Sequence, residues 1–151
     1  MFKRILVPLD LTKKSLPAME VALELAGQFN AHVILHHVIE TVEHVTFDEM
    51  KDFYRRLETS ARKGLQEFSE RFEAGGVKVD QLVTYGHRTQ GIVDAAIKNR
   101  ADLIIMASHR IDPDRPGQDF STNSYGVAIL APCKALLEKS AGVVWPRNVK
   151  C

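Results

Sequence analysis

Short unbroken apolar runs alternate along this chain with longer stretches in which apolar residues recur every three or four positions. Ile5-Leu6-Val7, stopped by Pro8, suits a strand buried on both faces, because a half-exposed strand would alternate apolar with polar residues. Over 15–29 the residues Leu16, Met19, Val21, Ala22, Leu25 and Ala26 fall at helical spacing, with Pro17 tolerated in the first turn. Val33-Ile34-Leu35 predicts a second buried strand, continued by His36-His37-Val38-Ile39. Parallel pairing of two such strands needs a long crossover connection, which the intervening helix supplies.

Thr46-Phe47-Asp48-Glu49 has the Thr-x-x-Glu spacing of a capping box, in which hydroxyl and carboxylate satisfy the free N–H groups of a helix start. From there Met50, Phe53, Tyr54, Leu57, Ala61, Leu65, Phe68 and Phe72 form one stripe as far as Gly75-Gly76. Flanked by Arg55, Arg56, Glu58 and Lys63, that stripe reads as the core face of a solvated helix rather than a ligand groove. Val77, Val79, Leu82 and Val83 predict a third strand ending at Tyr85-Gly86. A helix follows over 90–99, with Ile92, Val93, Ala96 and Ile97 inward, and a fourth strand over 102–106. The polar segment 108–119 holds two prolines, one glycine, two arginines and three aspartates and is read as a loop. Helical spacing resumes over 122–131, and Ala135-Leu136-Leu137 predicts a short fifth strand. Strands alternating with helices imply right-handed crossovers and an α/β fold: one domain, a doubly wound five-stranded parallel sheet with helices on both faces.

Composition narrows the function. The 151 residues are 45% hydrophobic and 26% charged. Folding at this length hides roughly 68–70% of the unfolded surface, so the core needs neither disulfide nor structural metal. Lys+Arg 20 against Asp+Glu 19 leaves a formal net charge of +1. Such a balance exerts no overall attraction on phosphate backbones or acidic membranes, and nucleic-acid binding is not expected. No apolar run is longer than 103–107, which is far short of a membrane span, and the first residues enter a strand without a signal-peptide core. A cytoplasmic protein without membrane insertion is expected. Cys133 and Cys151 lack CxxC spacing and are read as unpaired thiols, the first buried and the second exposed.

Ligands of open α/β sheets sit outside the carboxyl ends of the strands, near the point where strand order reverses. Pro8-Leu9-Asp10 after strand one and Ala107-Ser108-His109-Arg110 after strand four are expected to face one another there. His36 and His37 point to opposite faces of one strand and cannot share a metal from it. His87 and His109 with Asp10 are a weak metal pattern, because each stands on a separate loop. Ser108-His109 lacks the Gly-x-Ser-x-Gly context of a nucleophile elbow, and Ser124 falls within a predicted helix. Asp112, Asp114, Arg115 and Asp119 read as a solvated loop, and Pro116-Gly117 makes a turn that carries Phe120 toward the pocket or a partner.

Three segments together carry a resemblance: Ile5-Leu6-Val7-Pro8-Leu9-Asp10, His37-Val38-Ile39, and Ala101-Asp102-Leu103-Ile104-Ile105-Met106-Ala107-Ser108-His109. In this spacing the chain resembles the universal stress proteins of the adenine-nucleotide α-hydrolase-like superfamily over 1–139, leaving 140–151 as a C-terminal extension. The resemblance implies an ATP or AMP pocket, with Asp10 near adenine or ribose and the Val38 backbone reading the adenine edge. Magnesium would arrive with the nucleotide. Pro8, Leu9, Asp10, Val38, Met106, Ala107, Ser108, His109, Arg110, Ser121, Thr122 and Asn123 are the candidate nucleotide-binding residues. Nucleotide-binding members typically carry Gly-x2-Gly-x9-Gly-Ser/Thr, whose glycines admit phosphates close to backbone amides. Here Ala107, Arg110 and Ser121 occupy the glycine positions, and the spacing to Ser121-Thr122 is one residue longer. Ser121-Thr122-Asn123 still offers donors at a helix N-terminus. Arg110 either replaces backbone contacts with a charged one or fills the phosphate space.

The implied function is a cytoplasmic stress-response or regulatory protein binding adenine nucleotide without fast turnover, paired as a homodimer through the last strand and serving an unidentified protein partner. The chain shows no clear base, nucleophile or acidic metal pair, which disfavours an enzyme. A non-nucleotide interaction module with an occluded pocket and a slow nucleotide hydrolase are the alternatives. Gly142-Val143-Val144-Trp145-Pro146 is expected to cover the last strand's edge or swap across the dimer.

Overall fold

The computed structural model describes residues 1–109 and 122–139. Five strands, β1 (Arg4–Pro8), β2 (His32–Glu40), β3 (Val79–Gly86), β4 (Leu103–Ser108) and β5 (Lys134–Lys139), form one sheet. The order is β3-β2-β1-β4-β5 and every pairing is parallel. Helices α1 (Leu16–Phe29), α2 (Lys51–Ala74), α3 (Arg88–Lys98) and α4 (Asn123–Leu130) make the crossovers, with a 3-10 turn at Lys13–Ser15 leading into α1.

Alternation along each strand divides the core in two. Ile5, Val7, Val33, Leu35 and Ile105 face α1 and α2, where Met19, Ala22, Leu65 and Phe72 meet them. Leu6, Ile34, Val38, Ile104 and Met106 face Ile92, Ala95, Ala96 and Val127 of α3 and α4. Phe72 is fully buried, so truncation to alanine should cost about 3–5 kcal/mol. Gly126 lets the two helices of the second layer meet, since a Cβ there would sit 3.0 Å from Thr89 Cγ2.

Several sequence expectations shift. Of the α2 stripe, Tyr54, Ala61, Leu65 and Phe72 are buried, whereas Phe53 and Leu57 are 40% and 37% exposed. The first turns of α2 pack on the preceding chain, where Tyr54 OH receives the Val42 N–H at 2.9 Å and Phe47 stacks on the Tyr54 ring. The capping box does form, Thr46 N–H donating to Glu49 Oε2 at 2.9 Å, but in a separate turn before α2. In α3 the inward arc is Ile92, Val93, Ala95 and Ala96, and Ile97 lies beyond it, 56% exposed. Cys133 is partly exposed rather than buried, because it precedes an edge strand. Ser108 ends β4 instead of opening the loop. Arg110, Ser121, the turn at Pro116-Gly117, Phe120, Cys151 and the extension 140–151 lie outside the described residues. Among those described, no helix is long and apolar enough to cross a membrane.

Candidate functional site

At the sheet centre the connection after β1 leads to α1 on one face and that after β4 leads to α4 on the other, so the chain parts between them. A cavity of about 430 Å3 opens there. Its lining is Pro8, Leu9, Asp10, Lys14, Ser15, His36, Val38, Arg88, Ile92, Met106, Ala107, Ser108, His109, Thr122, Asn123 and Ser124.

Asp10 leaves β1 in a tight turn. Its Oδ1 accepts from Thr12 N–H at 2.9 Å, Thr12 Oγ1 at 2.8 Å and Ser15 Oγ at 2.9 Å, which holds Leu11 in the left-handed region at φ 64°. Burial alone would raise this carboxyl, but the bonds from Thr12 and Ser15, with the Arg88 charge, outweigh it and hold the group below its ordinary value. Asp10 is therefore an anion at neutral pH, and because the three bonds converge on Oδ1, Oδ2 keeps its acceptor capacity for a ligand.

β2 outruns β1, whose last register pair is Pro8 with His36. Leu9 N–H still donates to the His36 carbonyl at 2.8 Å. The rung that would follow, from Val38 N–H to the Leu9 carbonyl, is absent, and that carbonyl accepts from His37 Nδ1 at 2.8 Å. Val38 stands two residues beyond His36, so its N–H and C=O share the β1 side of the strand. Past the end of β1 that side is the cavity wall, where one donor and one acceptor lie side by side next to Asp10.

His36 points the other way from His37, onto the α3 face. The ring is fully buried, its Nε2 lies 2.8 Å from Thr84 Oγ1, and its Nδ1 has no partner. Burial, assisted by the nearby His37, pulls its pKa down to about 4, so the ring is neutral near pH 7.

The opposite end is hydroxyl-rich. Thr122 caps α4, accepting from Tyr125 N–H, and Thr122 Oγ1, Ser124 Oγ and Ser108 Oγ form a chain at 3.1 and 3.0 Å. Thr89 Oγ1 donates to Asn123 Oδ1 at 3.1 Å, tying α3 to the first turn of α4. Lys139 Nζ donates to Ser108 Oγ and the His109 carbonyl, both at 3.3 Å, and to Tyr125 OH at 3.2 Å. These contacts tie the end of β5 to the end of β4 and to Tyr125 of α4.

The universal stress protein family model matches residues 1–125. The chain belongs to the universal stress protein family. Universal stress protein MJ0531 of Methanocaldococcus jannaschii is 27% identical over 111 residues, which is 72% of this chain and 65% of that relative, slightly under two thirds of its length. The solved structure of hypothetical protein MJ0577 is 26% identical, with a TM-score of 0.74 over 95% of this chain and 99% of that one. A universal stress protein in complex with cAMP is 18% identical, a likeness of fold, with a TM-score of 0.70 over 93% of this chain and 98% of that one.

In this universal stress protein the cavity gathers Pro8, Leu9, Asp10, Val38, Met106, Ala107, Ser108, His109, Thr122 and Asn123 from the sequence-predicted set. Sequence reasoning missed Lys14, Ser15, His36, Arg88, Ile92 and Ser124. Ser15 carried a usable signal, since Asp10, Thr12 and Ser15 have the spacing of a side chain capping its own turn. Arg88 had none, because its place at the rim depends on where β3 ends relative to β1. His87, weighed as a metal ligand, stands at the N-cap position of α3 without a side-chain capping bond and is absent from the lining.

Proposed function

We propose that this universal stress protein is a cytoplasmic regulatory protein that binds adenine nucleotide, ATP or AMP, without fast turnover. The observation that carries the reading is the open Val38 N–H and C=O pair beside the Asp10 carboxylate in the cavity wall. Adenine presents an adjacent donor and acceptor on its edge, which matches that pair. Val38, Ile92 and Met106 supply an apolar slot for a flat base, and the hydroxyls and free amides at the start of α4 suit an anion. The cavity volume lies within the usual range of small-molecule sites. The related protein solved with cAMP holds the same class of ligand. Magnesium enters with the polyphosphate, since Asp10 is the one carboxylate among the described residues of the lining.

The groups described at the site support the part of the reading that excludes fast turnover. Lys139 is committed to three acceptors, and no base within the described lining is bonded to Ser108. Phosphoryl transfer needs positioned charge on both attacking and leaving oxygens.

Pairing into a homodimer through β5 belongs to the same reading. β5 is an edge strand, and beside it Ile129 and Leu130 are 79% and 57% exposed, an apolar edge that a second copy would cover.

Equilibrium titration with ATP, ADP and AMP, with and without magnesium, tests the reading, and Arg110 variants resolve the phosphate end. If Arg110 reaches the phosphates, Arg110→Ala weakens ATP more than adenosine. If it blocks them, Arg110→Gly tightens ATP. No binding by wild type or either variant at millimolar nucleotide overturns the reading and leaves an interaction module with an occluded pocket.

A further inference from the structure

Lys139 is the last residue of β5, an edge strand, yet its ammonium makes several contacts within the chain. Alternation puts Lys139 on the same face as Leu137, which packs on the α3 and α4 layer. From that face Nζ donates to Ser108 Oγ and the His109 carbonyl, both at 3.3 Å, and to Tyr125 OH at 3.2 Å. Ser108 and His109 line the cavity and Lys139 does not, so the charge touches the cavity wall from behind. Lys14 and Arg88 of the lining belong to the Asp10 end, Lys14 donating its backbone N–H to Thr12 in the turn and Arg88 helping to hold the Asp10 carboxyl down. Among the described residues, the cation bonded at the hydroxyl end is Lys139.

An ammonium can only donate, so Ser108 Oγ is an acceptor in that pair and its own proton goes elsewhere. Two oxygens are in reach: the His109 carbonyl at 3.4 Å, which already accepts from Lys139, and Ser124 Oγ at 3.0 Å. The shorter contact takes the Ser108 proton, and the Ser124 proton then goes to Thr122 Oγ1 at 3.1 Å, which also accepts from Tyr125 N–H. Ser108 and Ser124 are buried, so little water competes for these bonds. The chain ends on the hydroxyl proton of Thr122, a half-buried residue of the lining. We propose that Lys139 is a positioning residue for the phosphate end: by holding Ser108 as an acceptor it turns the Ser108–Ser124–Thr122 hydroxyls one way, with Thr122 as donor to a ligand phosphate. This deepens the nucleotide reading and rests on it. Without the ammonium the chain is free to reverse, Thr122 donating to Ser124 and presenting lone pairs, which repel an anion, to the ligand.

The test titrates AMP and adenosine calorimetrically into wild type, Lys139→Met, Lys139→Arg, Ser108→Ala and the double variant Ser108→Ala with Lys139→Met. Lys139 ends an edge strand, so its variants leave the core intact. Lys139→Met should weaken AMP about tenfold and change adenosine less than about twofold, and Lys139→Arg, which keeps a charged donor, should recover most of the loss. In the Ser108→Ala background, Lys139→Met should change AMP by less than about twofold, because the link it acts through is already cut. An equal loss for AMP and adenosine means that Lys139 only fastens the end of β5, and the proposal is overturned. An equal loss of AMP affinity with and without the Ser108 hydroxyl means that the charge acts through space, which overturns the chain of hydroxyls as its route. Unchanged AMP affinity in Lys139→Met also overturns the proposal and leaves the nucleotide reading intact. Failure of wild type to bind AMP and adenosine at millimolar concentration overturns both.

Discussion

His37 Nδ1 donates to the Leu9 carbonyl at 2.8 Å, so a side chain of β2 takes the acceptor that the next rung of the β1–β2 ladder would use. Two consequences follow. The chain is fixed one residue before Asp10, and the Val38 N–H is left out of the ladder. Because the acceptor is a carbonyl, Nδ1 must carry the proton, which assigns the ring's tautomer.

His37→Leu removes that donor and lets the Leu9 carbonyl accept from Val38 N–H. AMP affinity should fall about tenfold, with stability changed by about 1 kcal/mol or less, as one hydrogen bond is exchanged for another. Calorimetric titration together with urea unfolding checks both numbers. An unchanged AMP affinity would show that the Val38 amide is not used.

The two ends of the cavity should separate by ligand. Asp10→Ala removes the anion and the acceptor for Thr12 and Ser15, and should weaken adenosine and ATP alike. Thr122→Ala removes the α4 cap, costs about 1 kcal/mol of stability, and should weaken ATP while sparing adenosine. Titrating both ligands against both variants decides the point, since a cavity without this polarity would give the same ratio for each.

Much of this site was legible because strand ends can be read locally. The run Ile5-Leu6-Val7 stopped by Pro8 places Asp10 at a carboxyl end, and Thr122 before an apolar-periodic stretch marks a helix start. What escaped depends on contacts distant in sequence. His36 looks like any packed histidine until Thr84, 48 residues away, is seen on one nitrogen and nothing on the other. Phe53, Leu57 and Ile97 fit helical periodicity but lie outside the arc that the sheet covers, and periodicity alone does not give the width of that arc.

The edge beside β5 makes a separate prediction. Ile129→Lys places a charge on the most exposed apolar position of α4 and should convert a homodimer to monomer at micromolar concentration without loss of stability, because the side chain packs on little within one copy. Sedimentation reads the outcome, and a monomeric wild type would remove the dimer from the proposed function.

Acid should expose His36 through stability. Its pKa is near 4 in the folded protein against an ordinary 6.5, so between those values the unfolded chain binds a proton that the folded chain refuses. Stability therefore rises with pH through this window and is lost as pH falls from 6.5 toward 4, by on the order of 3 kcal/mol in all. The carboxylates act lower. Asp10, Glu49 and Glu58 are held below ordinary values of 3.8, 4.5 and 4.5, so their contributions are present above those values and fade beneath them. Urea unfolding at pH 7, 6 and 5 should show wild type losing stability step by step, while His36→Leu, which has nothing to protonate at this position, loses less at each step. Parallel pH profiles for the two proteins would mean that His36 is accommodated as a cation, which its sealed position between Ile34 and Val38 on the sheet does not permit without opening the α3 face.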